Sequence, residues 1–116
     1  MADKVKPIKL TDTATGETYT LEFNREAVRF AEARGFSITE VDKFPMTIYD
    51  FFFYAFRMHH KNVSRERTDK IIDDGFGGIA GIPEGMLERL VELYAQTFGT
   101  LYDEKDKENP RVVVEL

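Results

Sequence analysis

The chain has no cysteine. Disulfides, thiolate metal sites and cysteine nucleophiles are therefore excluded. Clustered positive charge is also missing. Its 16 Lys and Arg stand against 21 Asp and Glu, a net charge of −5. The short basic stretches are interrupted by acids, as in Arg65-Glu66-Arg67. Neutralising phosphates needs clustered Lys and Arg, so nucleic acid is not an expected partner. No apolar run approaches the ~20 residues of a membrane-spanning helix, and the aromatic stretch that comes nearest contains Asp50 and Arg57. Met1-Ala2-Asp3-Lys4 has no apolar signal-peptide region. The expectation is a soluble cytosolic chain with no membrane partner. No internal repeat is visible.

The usual catalytic constellations are sparse as well. Gly75-Phe76-Gly77-Gly78-Ile79-Ala80 matches the lettering of a dinucleotide-binding turn. That turn must follow a strand and open a helix in a βαβ unit. Here a charged helix pattern precedes it, so the stretch reads as a flexible helix-to-helix connection. His59 and His60 are the only histidines. Adjacent helical side chains point apart, whereas zinc-binding helices use i, i+4 spacing. They read as a pair flanking a buried helix end, one ring packed and one solvated. No carboxylate pair stands isolated in an apolar setting that would raise its pKa for acid–base work. Asp50 comes nearest, and its polar stripe with Arg57 favours an ion pair or a cap. The expectation is a non-enzyme with no metal and no cofactor.

What the chain does have is aromatic density. Four of its ten phenylalanines lie at positions 51, 52, 53 and 56, within Ile48-Tyr49-Asp50-Phe51-Phe52-Phe53-Tyr54-Ala55-Phe56-Arg57-Met58. At helical spacing only Asp50, Tyr54, Arg57 and Lys61 form a polar stripe. An amphipathic surface helix shows an apolar stripe of a little over ~100°, and this one shows far more. It is either the central helix of a small domain or a helix with apolar surface kept for a partner. The second alternative predicts partner-binding residues Phe51, Phe52, Phe53, Phe56 and Met58, with Leu90 and Tyr94 beside them.

One domain is expected at 116 residues, with room for a real core. The predicted fold is α+β and mostly α: an N-terminal β-hairpin packed on a small bundle of about four helices. The hairpin spans 5–23, where Ile8 and Leu10, then Tyr19, Leu21 and Phe23, alternate with polar residues around a turn ending at Gly16. Helix one covers 24–34, with Asn24 as N-cap, Phe23 and Val28 as a hydrophobic staple, and Gly35 as C′ residue sending Phe36 back toward Phe30 or Ala31. Helix two covers 47–61, with Thr47 and Asp50 resembling a capping box and Lys61 at its end. Helix three covers 65–74, capped by Ser64 and fraying at Asp73-Asp74. Helix four covers 83–101, with Met86, Leu87, Leu90, Leu93, Tyr94, Phe98 and Leu101 on its core side and Glu88, Arg89, Glu92 and Gln96 facing water. The globular domain is thus 1–102. Residues 103–116 form a charged linker and a tail whose Arg111–Leu116 segment reads equally as a short strand or a disordered end.

The order of features along the whole chain carries a resemblance. Lys9-Leu10-Thr11-Asp12 is followed by Thr15-Gly16-Glu17-Thr18-Tyr19-Thr20-Leu21-Glu22-Phe23-Asn24-Arg25. Then come Val28, Glu32, Gly35-Phe36, Phe44-Pro45-Met46-Thr47, the aromatic helix and His59-His60-Lys61. Leu87, Leu90, Leu93 and Tyr94, an acidic tail and Val112-Val113-Val114-Glu115-Leu116 complete the series. This pattern resembles the small tail assembly chaperones of long-tailed bacteriophages of Gram-positive hosts. The resemblance implies a non-catalytic protein of the host bacterial cytoplasm, absent from the mature virion. It implies binding of the phage tape measure protein and the tail tube protein, which prevents premature aggregation during tail morphogenesis. It also implies a short form produced beside a longer, frameshifted one. Competing expectations are a structural tail or head-completion protein retained in the virion, or a small regulatory binding protein. Sequence leaves the oligomeric state open.

Overall fold

A computed structural model describes residues 4–98 and 115–116 of the chain. Among these residues the architecture is the expected one: an N-terminal antiparallel hairpin and four α-helices. Strand β1 (Ile8–Thr11) pairs with β2 (Thr18–Leu21) in the register Ile8↔Leu21 and Leu10↔Tyr19. Asp12 organises the turn. Its backbone N–H donates to Glu17 O at 2.8 Å, its carbonyl accepts the Gly16 N–H at 2.7 Å, and its carboxylate accepts the Ala14 N–H at 2.9 Å. Period-two alternation buries Tyr19, Leu21 and Phe23 against the helices.

Helix α1 (Arg25–Ala33) begins and ends as its sequence dictates. Asn24 Oδ1 accepts the Ala27 N–H at 2.8 Å. At the other end Gly35 adopts φ +90°. Its N–H donates to Glu32 O and that of Phe36 to Ala31 O, a Schellman pair. Phe36 does turn back, but its ring reaches Phe51, Tyr54 and Tyr94.

Helix α2 (Met46–Ala55) is shorter than expected and starts differently. Pro45 precedes it without a side-chain cap, so the Thr47–Asp50 box does not form. Asp50 instead pairs with Arg65, and Arg57 pairs with Glu26 at 3.0 Å. The helix stops near Ala55 rather than Lys61. The Ala55 carbonyl accepts the Glu22 N–H of the hairpin at 3.1 Å, and the next turn tightens through Phe56 N–H to Phe53 O and Arg57 N–H to Tyr54 O. Helix-end carbonyls need such partners, and here the hairpin supplies one.

Helix α3 (Arg65–Lys70) is capped by Ser64 as expected, with Ser64 Oγ accepting the Arg67 N–H at 3.1 Å. It runs into a π-helical turn, Ile71–Gly75. The expected fraying at Asp73-Asp74 is replaced by this turn, and Asp73 accepts a hydrogen bond from the Tyr49 hydroxyl. The glycine-rich stretch that follows packs closely. The Gly78 N–H donates to Ile72 O at 2.8 Å, and a Cβ on Gly81 would stand 1.7 Å from Phe76 O. Gly81→Ala is therefore expected to cost about 1–3 kcal/mol through forced backbone displacement, measurable by urea titration. A flexible linker would show no loss.

Helix α4 (Met86–Gln96) follows a turn over 83–85 and buries Met86, Leu90, Leu93 and Tyr94. Phe98, expected on the core side, is exposed. Gln96 does not simply face water, because its Oε1 accepts the Val5 N–H at 3.0 Å and ties the chain's start to α4. The expectations for Leu101, for the linker from 103 and for Arg111–Val114 lie outside the described residues, and Glu115 and Leu116 are exposed.

Candidate partner-binding site

The aromatic helix sits at the centre of the core. Phe51 is fully buried, stacked between Phe23 and Phe36 at ring-centre distances of 5.5 and 5.4 Å, with Tyr94 edge-on at 5.9 Å. Phe52 lies edge-on to Phe56 and Phe76, and Phe56 to Tyr19. Leu90 and Tyr94 are sealed on the α4 side. The Tyr94 hydroxyl donates to Glu32 Oε2 at 2.7 Å, and burial, then this hydrogen bond, push its pKa well above the ordinary value.

This arrangement corrects the expected partner-binding set. Phe51, Phe52, Phe56, Leu90 and Tyr94 offer no surface in the folded chain. The physical reason is enclosure from several sides at once: Phe23 and Phe36 bracket the two ends of α1, β2 supplies Tyr19, and the π turn is followed by Phe76. Phe53 and Met58 are partly exposed. The Arg65 guanidinium lies over the Phe53 ring at 4.6 Å, so much of that ring is covered by a cation. Phe30 is sandwiched likewise by Arg34 and Arg57 at 3.9 and 4.0 Å.

Polar anchors fasten the hairpin to the helices. Arg67 reaches Asp12, Glu17 and the Tyr19 hydroxyl. The Arg67 hydrogen bond holds the Asp12 carboxyl below its usual range. Glu22, buried, meets His59 Nε2 at 2.9 Å and Lys4 at 3.6 Å. His60 Nε2 accepts the Thr20 N–H at 2.9 Å while its ring lies against Tyr19 and Phe56. Each histidine is thus bound to the hairpin, and the described residues contain no group of three ligand-type side chains able to hold a metal.

Two kinds of surface remain. A groove of about 440 Å³ separates the hairpin turn from α3 and the π turn, lined by Leu10, Asp12, Tyr19, Arg67, Ile71 and Phe76 among others. Its central cation, Arg67, is already engaged by the protein's own carboxylates. The other is exposed apolar surface: Phe44 at 56% and Met46 at 69% before and at the start of α2, and Val91 at 42% and Phe98 at 52% along α4. Sequence reasoning missed these four as surface residues. The signal was present in α4, where Leu87 and Val91 widen the apolar arc beyond what one core contact covers.

The chain belongs to the family described as Domain of unknown function (DUF5055), whose model matches residues 1–116. No curated protein and no solved structure matches it.

Proposed function

We propose that this chain is a non-catalytic tail assembly chaperone of a long-tailed bacteriophage. It would bind the tape measure protein and the tail tube protein in the host cytoplasm and hold them apart from premature aggregation. The observation that carries this reading is the order of sequence features from Lys9 to Leu116, which resembles such chaperones over essentially the whole chain. Exposed apolar side chains on an acidic exterior support it. Apolar surface can engage a helical client, while net negative charge keeps the complex soluble.

Co-expression with the neighbouring reading frames, followed by affinity capture, tests the proposal. The tape measure protein should co-purify and remain soluble only when the chain is present. Mass spectrometry of purified virions should not find the chain. Its stoichiometric presence in particles would favour a structural component, and a tape measure protein equally soluble without it would remove the chaperone role.

A further inference from the structure

Helix α4 carries a second apolar face. Its core side is filled by Met86, Leu90, Leu93 and Tyr94. At roughly 100° per residue, Leu87, Val91 and Ala95 fall on one adjoining strip about 80° wide, and Phe98 follows in the turn after the helix. Val91 and Phe98 are exposed, and Leu87 and Ala95 partly so. The strip is held in place. The Phe98 ring lies edge-on to Tyr94 at 6.0 Å, Thr97 Oγ1 donates to Tyr94 O, and Arg25 donates to Thr97 O at 3.3 Å. Along its outer flank stand Glu88 and Glu92, one turn apart and exposed, without an ion-pair partner among the described residues. Arg89, the only basic residue of α4, lies across the helix from the strip.

We infer that this face docks one amphipathic helix of the client, with its apolar seam over Leu87, Val91, Ala95 and Phe98 and a row of Lys or Arg beside Glu88 and Glu92. The choice of occupant rests on charge. A basic flank complements these two carboxylates, whereas a second copy of this chain laid across the same face would set acid against acid. From Leu87 to Ala95 the strip runs about 12 Å along α4, which matches a little over two turns of a partner helix. The inference rests on the chaperone reading for the client's identity and adds the face and the chemistry it selects.

The test is capture of the co-expressed tape measure protein by four forms: wild type, Val91→Asp, the double variant Glu88→Lys/Glu92→Lys, and Glu66→Gln on α3 as a control away from the strip. All four should retain native circular dichroism and melting, because each change is at an exposed position. Val91→Asp and the charge reversal should each lower capture at least tenfold, and Glu66→Gln should leave it unchanged. Wild-type capture should weaken between 0.1 and 0.5 M salt, and residual capture by the charge-reversed form should not. Undiminished capture by Val91→Asp overturns the inference while leaving the chaperone reading standing. A wild-type dimer that Val91→Asp converts to monomer also overturns it, because a second copy then covers the face. No capture by wild type overturns the chaperone reading and the occupant together.

Discussion

Phe51→Ala is expected to destabilise the chain by about 3–5 kcal/mol, the usual cost of removing a fully buried phenylalanine. Phe51 makes three aromatic contacts, with Phe23, Phe36 and Tyr94, each from a different part of the chain. Truncation leaves a cavity that the neighbouring rings fill only by leaving their own contacts. Since domains of this size are stable by about 5–15 kcal/mol, the loss is a large share of the total. Phe53→Ala is the comparison. Its ring is partly exposed under Arg65, so the expected cost is about 1 kcal/mol. Urea denaturation of both variants measures the difference. Equal losses would mean that the bracketing of Phe51 between the two ends of α1 is wrong. The same logic separates two charge insertions in neighbouring residues: Phe52→Asp should unfold the chain, and Phe53→Asp should leave it folded.

These neighbours show where sequence reasoning carries and where it stops. The hairpin, the Asn24 and Ser64 caps and the Gly35 C-terminus were legible because each is decided by residues within a few positions of one another. Local chemistry sets them almost regardless of the rest. The fate of the aromatic run was not local. Helical periodicity measures how wide an apolar arc is, but not how many elements converge on it. Here β2, α1, the π turn and α4 converge on α2. The polar stripe also misled. Arg57 was read on the water-facing polar stripe of the aromatic helix, yet its guanidinium lies over Phe30, and that of Arg65 lies over Phe53, so both extend the cover. Their charges then pair with Glu26 and Asp50. The apolar surface that does stand exposed lies at Phe44 and Met46, ahead of the aromatic run, and at Val91 and Phe98 on and just beyond α4.

Acidification from pH 7.5 to 5 is expected to weaken the fold through His60. Its Nε2 accepts the Thr20 N–H, so the folded ring is neutral, with its proton on Nδ1. Protonating Nε2 would set one N–H against another. Burial, then the neighbouring His59, hold its pKa below the ordinary 6.5. Arg57, paired with Glu26, and Lys61 share a small pocket with the ring, and Arg67 with its Asp12 and Glu17 partners lies beyond Tyr19. The unfolded chain therefore takes up this proton first. The histidine's contribution is complete above about pH 6.5 and declines as pH falls toward the lower folded value. Asp12 and Glu26, whose pKa values are lowered by Arg67 and Arg57, act later, below their ordinary 3.8 and 4.5. Asp69 has the opposite sign. Burial raises its pKa, and one carboxylate oxygen is buried without a hydrogen-bond partner among the described residues, so acid relieves rather than adds strain there. His60→Gln isolates the histidine, because Gln Oε1 can accept the Thr20 N–H and does not titrate. The His59–Glu22 contact is common to both forms and cancels. Wild-type stability should fall across pH 7.5–5 more steeply than that of His60→Gln, and the Thr20 amide should lose exchange protection over the same interval. Parallel stability curves for the two forms would remove His60 as the acid-sensitive link between the hairpin and the end of α2.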